Sequence, residues 1–478
     1  MKRLSELFET ENDVLIKDIK INSKEVEKGD MFVCIKGVKT NRHDFIEEAI
    51  QNGASCIVGD RDITCKVPYV KVLDANKILS DLCRKFYDFD NLKLKIIGVT
   101  GTDGKTTTST SIQYLIGKDK CGYIGTNGYS CSKFTRDCPN STPDPTLLYK
   151  YFKEFAEAGC EYVVMEASSE GFFRGRLDGL VFQSGGYTNI TWEHINIHGS
   201  FENYVSSKVK LASQTKGKFI VNFDDKFNNK FKEASLNSLS YGENSKCDLY
   251  IKNYSITPRY TVITFVYEEK EYTFTSPLLG KFNVYNLACA FLICLSLGFS
   301  IHDLIDNCIN IDVSGRLEMI DHGQNFKVMV DYAHTPNGIK SILEFVRVLN
   351  VNRAIVVIGS AGERDYKKRP IMGKTVLDYA DYAIFTYEDP RSEDPLDIIK
   401  QMVSEIDDDS KYEIVIDRSL AIKRAIDIAG ENDIVLVLGK GSETYEKLRD
   451  KVIYFNDMEE ASKWLLERIK RETGVVTN

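Results

Sequence analysis

The stretch Ile96–Thr110 reads IIGVTGTDGKTTTST, and it decides how the middle of the chain folds. An apolar run enters Gly98, Gly101 and Gly104, then Lys105 and Thr106, then a helical pattern to Ile116. Continuous apolar runs of this length read as buried parallel strands. The glycines let the backbone turn with its N–H groups inward, and the next helix adds the positive end of its dipole. Such a loop cradles phosphate: Lys105 reaches the terminal phosphates and the Thr106 hydroxyl is placed to ligate Mg²⁺. The spacing departs from GxxxxGK[ST], whose first glycine would fall on Val99. A chance glycine-rich turn before a helix is the plain alternative, and strand, GK-T and helix in one unit weigh against it.

Outward from this loop the same alternation continues. Strands are expected at Asp30–Ile35, Ser55–Val58, Leu94–Val99, Tyr162–Glu166, Phe219–Asn222, Ala354–Ile358, Tyr382–Thr386, Glu413–Ile416 and Ile434–Leu438. Helices are expected at Ala75–Tyr87, Thr106–Ile116, Val284–Leu297, Ile301–Ile309 and Asp378–Tyr382. This is an α/β pattern. Within Lys246–Pro277, the run YTVITFVYEEKEYTFT alternates about a Glu-Glu-Lys turn and predicts an antiparallel hairpin. Polar stretches at Asp88–Asn91 and Asn310–Ser314 divide the chain into three domains, 1–88, 89–311 and 312–478.

Composition bounds the function. The 478 residues are 43% apolar and 28% charged, with a net charge of −8, which argues against nucleic acid as the partner. No run of about 18 apolar residues predicts a membrane span. MKRLSELFETENDV lacks the apolar segment of a signal peptide, and the twelve cysteines lack metal-ligand spacing. A reduced, cytoplasmic chain is expected. Glu166 ends the apolar strand YVVME, where open α/β sheets carry ligand groups. On residues alone, His194 reads as a hydrogen-bonded structural histidine and Lys208, in YVSSK, as a solvated charge.

The loop GVTGTDGKTTT resembles that of the Mur ligases, which add amino acids to the peptidoglycan precursor. The resemblance extends through NSKEVEKGDMFVCIKG, HDF at His43–Phe45, STPDP at Ser141–Pro145, MEASSEGFFRGRLDG and YTNITWEHINIHGSFENYVSSK. It continues in LLGKFNVYN, SGRLE, VDYAHTPNG, RDYKKRPIMG, EDPRSEDP and GKGSE. It implies three α/β domains: an N-terminal uridine-binding domain, a central P-loop-type ATPase domain and a Rossmann-like C-terminal domain. It implies a monomeric ATP- and Mg²⁺-dependent ligase of the tripeptide-forming kind. The expected substrates are UDP-N-acetylmuramoyl-L-alanyl-D-glutamate and a diamino acid, with meso-2,6-diaminopimelate ahead of L-lysine. A relative with another acceptor, of the folylpolyglutamate or lipid-II-modifying type, is the alternative.

The resemblance also implies site residues. ATP falls to Gly101, Thr102, Asp103, Gly104, Lys105, Thr106 and Thr107, with Asn286, Arg316, Asp331 and His334. Mg²⁺ falls to Thr106, Glu166, His194 and Lys208, the last as a carbamate, with Lys210 as runner-up. Lys105, Lys208, His194 and Arg316 are the expected catalytic set. The nucleotide-sugar peptide falls to Ser23, His43, Ser141, Thr142, Ser168, Arg174 and Arg176. The amino acid falls to Arg364, Glu388, Asp389, Pro390, Arg391, Gly439 and Glu443. Arg391 offers a planar, permanently charged fork to a distal carboxylate, and Glu443 suits an ammonium. Where the family reads DNPR, this chain reads EDPR; the plain alternative for Arg391 is a surface pair with Glu393 or Asp394.

Overall fold

Three parallel-rich sheets follow one another in a computed structural model that describes residues 1–37 and 40–473. The first has four parallel strands in chain order, Ile19–Lys20, Met31–Val33, Cys56–Gly59 and Tyr69–Lys71. Its last helix, Ala75–Phe86, starts at Asp74, whose carboxylate accepts the N–H groups of Asn76 and Lys77. Leu79 and Phe86 of that helix share one apolar cluster with Tyr149 and Phe152 of the helix Pro145–Glu157. The first sheet is thereby anchored to the second by continuous burial.

The central sheet has eleven strands. Seven are parallel, in the order Cys121–Gly125, Tyr162–Glu166, Lys95–Thr100, Ser184–Tyr187, Phe219–Asn222, Ser238–Gly242 and Leu249–Ile256. Antiparallel strands extend both edges. The expected hairpin is Thr261–Tyr267 with Lys270–Ser276, and Leu249–Ile256 pairs with its first strand, giving three antiparallel strands rather than two. Glu268 and Glu269 form the two-residue turn with φ of 49° and 64°, the twist that matches the flanking strands.

The strand Lys95–Thr100 lies in the middle of the sheet, with later strands on both sides. Such a reversal of strand order opens a crevice at the carboxyl ends, and the phosphate loop occupies it. The loop needs its glycines. Gly104 has φ 84° and a Cβ there would stand 2.3 Å from the Asn286 amide oxygen; Gly101 has φ 151° and a Cβ would meet the Thr188 hydroxyl. The helix Lys105–Ile116 then runs beneath the sheet, nearly all of it buried against the apolar helix Lys281–Ser296.

The third sheet has the order Glu318–Ile320, Lys327–Asp331, Ile434–Leu438, Ala354–Ile358, Tyr382–Phe385 and Tyr412–Ile414, parallel except for the first strand. Its middle strands read AIVVI and IVLVL, apolar on both faces because helices cover both. The helix expected at Asp378–Tyr382 is displaced: Asp378 and Tyr379 end the helix Lys368–Tyr379, and Tyr382 opens a strand. STPDP, HTPNG and SEDP each begin a helix with proline at its first turn, at Pro145, Pro336 and Pro395. No helix among the described residues is long and apolar enough to cross a membrane.

Candidate active site

The carboxyl ends of the central and third sheets face each other across one cavity of about 1090 Å³. That exceeds the roughly 300–1,000 Å³ of an ordinary single-ligand pocket. At its central-domain end, Glu166 is almost completely buried and accepts from the Thr106 hydroxyl (2.9 Å), the Tyr123 hydroxyl (2.9 Å) and the Thr126 N–H (2.8 Å). Arg316, from the third domain, donates to the Thr106 hydroxyl at 3.2 Å and lies over the Tyr332 ring. Asp103 accepts from Thr335 (2.9 Å) and Asn337 (3.2 Å), which cap and open the helix Pro336–Val348. The phosphate loop is thereby tied to the opposite wall.

Two lysines share one carbonyl. Lys105 Nζ donates to Gly101 O (2.9 Å) and Thr102 O (2.8 Å), and Lys208 Nζ donates to Gly101 O at 2.5 Å. Burial lowers both pKa values, Lys208 well below the ordinary ammonium range, where Lys105 adds to the effect. Lys208 sits on the inner face of the helix Phe201–Ser213, whereas Lys210 is exposed on the outer face. His194 is held well below its usual pKa by burial and by Lys208, so it presents a neutral ring. Its neighbour Glu193 is buried and paired with Lys368 of the third domain at 3.0 Å.

The third-domain end is built by four loops, after Asp331, Ile358, Phe385 and Leu438. Asp331 accepts from Ala333 N–H (2.7 Å) of its own loop and from Leu317 N–H (2.8 Å), just before the strand Glu318–Ile320. His334 is pushed down to about 3 by burial and Lys368. Asp389 is buried and answered by Lys440 at 2.9 Å, with neither side chain much exposed. Lys440 also reaches Glu443 (3.3 Å), which accepts from the Tyr332 hydroxyl at 3.3 Å. Burial raises Glu388 to about 7 and also raises Glu443. Glu393 pairs with Arg369, and Asp394 caps the helix Pro395–Val403, so neither pairs with Arg391.

The cavity gathers most, not all, of the expected residues. Thr102 to Thr107, Asn286, Arg316, Asp331 and His334 line it, as do Glu166, His194 and Lys208. So do Ser141, Ser168, Arg176, Arg364, Glu388, Asp389, Arg391 and Glu443. Gly101, Thr142, Pro390 and Gly439 stand behind the lining; Thr142 is buried, donating to Glu166 O at 2.7 Å. Arg174 does not line it and pairs with Glu170, which does. Ser23 and His43 lie in the first domain, where Ser23 donates to Glu48 at 2.5 Å and His43 bonds Asn41 and faces Asp60. Lys368, Lys440 and Lys447 were not singled out in the sequence, where each reads as one charge among many; only the fold brings them inward.

The residues fit Mg²⁺ in part. No group of three or more His, Cys, Asp and Glu among the described residues could form a complete cage. The Thr106 hydroxyl and Glu166 carboxylate, in contact beside the loop, are oxygen donors of the kind Mg²⁺ accepts when phosphates and waters complete its shell.

Comparisons with known proteins agree on a family. Residues 15–87 match the model of the Mur ligase family catalytic domain, 99–294 the Mur ligase middle domain, and 315–441 the glutamate ligase domain of Mur ligases. The chain is 36% identical over 463 residues to a UDP-N-acetylmuramoyl-L-alanyl-D-glutamate–2,6-diaminopimelate ligase of Geobacillus thermodenitrificans, covering 94% of this chain and 95% of that one. It is 36% identical over 447 residues to the protein of the same name from Aquifex aeolicus, covering 92% of each. A solved structure of a ligase with that name superposes with a TM-score of 0.67 at 29% identity, covering 98% of this chain and all of the other. A MurF ligase from Thermotoga maritima, in complex with ADP, shares the fold at 19% identity and a TM-score of 0.68.

Proposed function

The chain belongs to the Mur ligase family, and we propose that it joins meso-2,6-diaminopimelate to UDP-N-acetylmuramoyl-L-alanyl-D-glutamate, driven by ATP. One observation carries the reading. A single cavity holds both a phosphate loop, with Lys105, Thr106 and Glu166, and a third-domain wall with Arg364, Arg391 and Glu443.

A carboxylate becomes reactive when its oxygen takes the terminal phosphoryl group of ATP; an amine then attacks the acyl phosphate and inorganic phosphate leaves. This chemistry asks for positioning and charge neutralisation rather than a protein nucleophile. Lys105 and the inward N–H groups of the loop hold the phosphates. Arg316 brings a cation from the third domain onto Thr106, so neutralisation is complete only when the domains meet. Thr106, Glu166 and His194 would hold Mg²⁺, which supplies charge neutralisation at the phosphates. Lys208 is suited to carbamylation: burial favours its neutral amine, whose lone pair can attack CO₂ to give a carbamate and a proton. The carbamate turns a buried cation into a further oxygen donor. Ser141, Ser168 and Arg176 orient the peptide end of the nucleotide sugar, and Ser23 and His43 receive its uridine end.

The amino acid is selected at the third-domain wall. Asp389, an acid where the family has asparagine, is neutralised by buried Lys440, so it adds no net repulsion against a distal carboxylate. Arg391 takes that carboxylate and Glu443 the ammonium beside it. ADP release should require both the nucleotide-sugar peptide and the amino acid; release independent of the amino acid would overturn the assignment.

A further inference from the structure

Three cations line the third-domain wall, Arg364, Arg391 and Lys447, and none has an ion-pair partner among the described residues. The acids nearby are engaged elsewhere: Asp389 by Lys440, Glu443 by Lys440 and Tyr332. Arg391 Nε is buried without a hydrogen-bond partner. The Lys447 ammonium lies over the Tyr445 ring, 4.7 Å from its centroid.

Arg391 and Lys447 are fixed to each other by backbone. The Arg391 N–H donates to Lys447 O at 2.9 Å, holding Arg391 at a left-handed φ of 53°. The Lys447 N–H donates in turn to Asp389 at 3.2 Å. Lys447 follows Tyr445 and Glu446 on a short strand paired with Val452–Tyr454, so its position is set by a hairpin rather than a free loop. Burial lowers the Lys447 pKa, and the Arg391 guanidinium is the next largest cause. Two like charges held together in partial burial repel unless an anion lies between them.

We propose that Lys447 is a specificity-determining residue that, with Arg391, clamps the distal carboxylate of the incoming diamino acid. This rests on the ligase reading given above. The charges decide the class of substrate. A diamino acid with two carboxylates answers Arg364 with one and the Arg391–Lys447 pair with the other. A diamino acid with one carboxylate leaves that pair unanswered and brings its own distal ammonium toward it.

The test is steady-state kinetics of the full chain with meso-diaminopimelate and with L-lysine, for the unaltered protein, Lys447→Met and Lys447→Arg. Removing one charge-assisted contact should raise KM for diaminopimelate roughly tenfold, with the loss on KM rather than kcat. KM for L-lysine should stay level or fall, and Lys447→Arg should recover most of the affinity. Matched melting temperatures would confirm folding. An unchanged diaminopimelate KM in Lys447→Met, or an equal rise for both amino acids, overturns the Lys447 assignment alone. No diaminopimelate-dependent turnover in the unaltered protein overturns the ligase reading and this proposal together.

Discussion

At the phosphate-loop end of the cavity, the lysines and the buried carboxylate all have partners. Lys105 and Lys208 converge on Gly101 O, and Glu166 collects three donors within 2.9 Å. At the third-domain end, Arg364, Arg391 and Lys447 face the same space without an acid to pair with among the described residues. The first arrangement is preorganised for chemistry common to many substrates, since its dipoles are fixed before anything reacts. The second stores unmatched charge, which penalises any ligand that fails to match it. On the function proposed above, generic reactivity and selectivity sit at opposite ends of one cavity, on different domains.

The comparison breaks most visibly if the generic end can be damaged without loss of ADP formation. Lys105→Ala should lower ADP formation for every amino acid alike, by at least the ~10²–10³ typical of deleting one electrostatic donor. An ADP-release assay checks this, and near-normal turnover would refute the loop assignment. Lys208→Ala should cost roughly a hundredfold, again for all acceptors, and recover in part with formate, acetate or propionate. Failure of every small acid to rescue a well-folded variant would count against a carbamate at that position.

At the selective end the losses should discriminate. Arg391→Ala should reduce the diaminopimelate-to-lysine ratio of kcat/KM by about 10–100-fold, the range of one charge-assisted hydrogen bond. Initial rates at equal concentrations measure it, and a lysine preference already present before mutation and unchanged after it would remove Arg391 from selection. The smallest effect concerns Glu388, whose pKa is raised to about 7 by burial. A raised carboxyl is protonated below that pH, so the negative charge it adds beside Glu443, which takes the ammonium, is lost as pH falls through 7 and regained above it. KM for diaminopimelate should therefore rise several-fold between pH 8 and pH 6, more steeply than in Glu388→Gln. Parallel pH profiles would show that the charge of Glu388 is not felt at the ammonium held by Glu443.

This division also explains what the sequence reveals. The phosphate loop is local: strand, glycines, lysine and helix lie within Lys95–Ile116, so their succession in one unit marks it although the spacing departs from GxxxxGK[ST]. STPDP, HTPNG and SEDP are local too, because proline starts and polar caps write helix origins directly. The third-domain wall is assembled from four loops spread over Asp331–Lys447, and its balance depends on which charges pair. Lys440 and Lys447 differ by seven positions, yet one neutralises Asp389 in the interior and the other faces the cavity. The 3.6-residue period of a helix does place buried Lys208 and exposed Lys210 on opposite faces, once the helix Phe201–Ser213 is known. The Glu193–Lys368 pair spans two domains, a separation no local pattern encodes.

The most direct measurement is a competition. The protein is supplied with ATP, Mg²⁺, UDP-N-acetylmuramoyl-L-alanyl-D-glutamate and equal amounts of meso-diaminopimelate and L-lysine, and the product is weighed by mass spectrometry. The account predicts the diaminopimelate adduct in large excess, shifting toward the lysine adduct in Arg391→Ala. A lysine adduct in excess from the unaltered protein, or no peptide product at all, would contradict it.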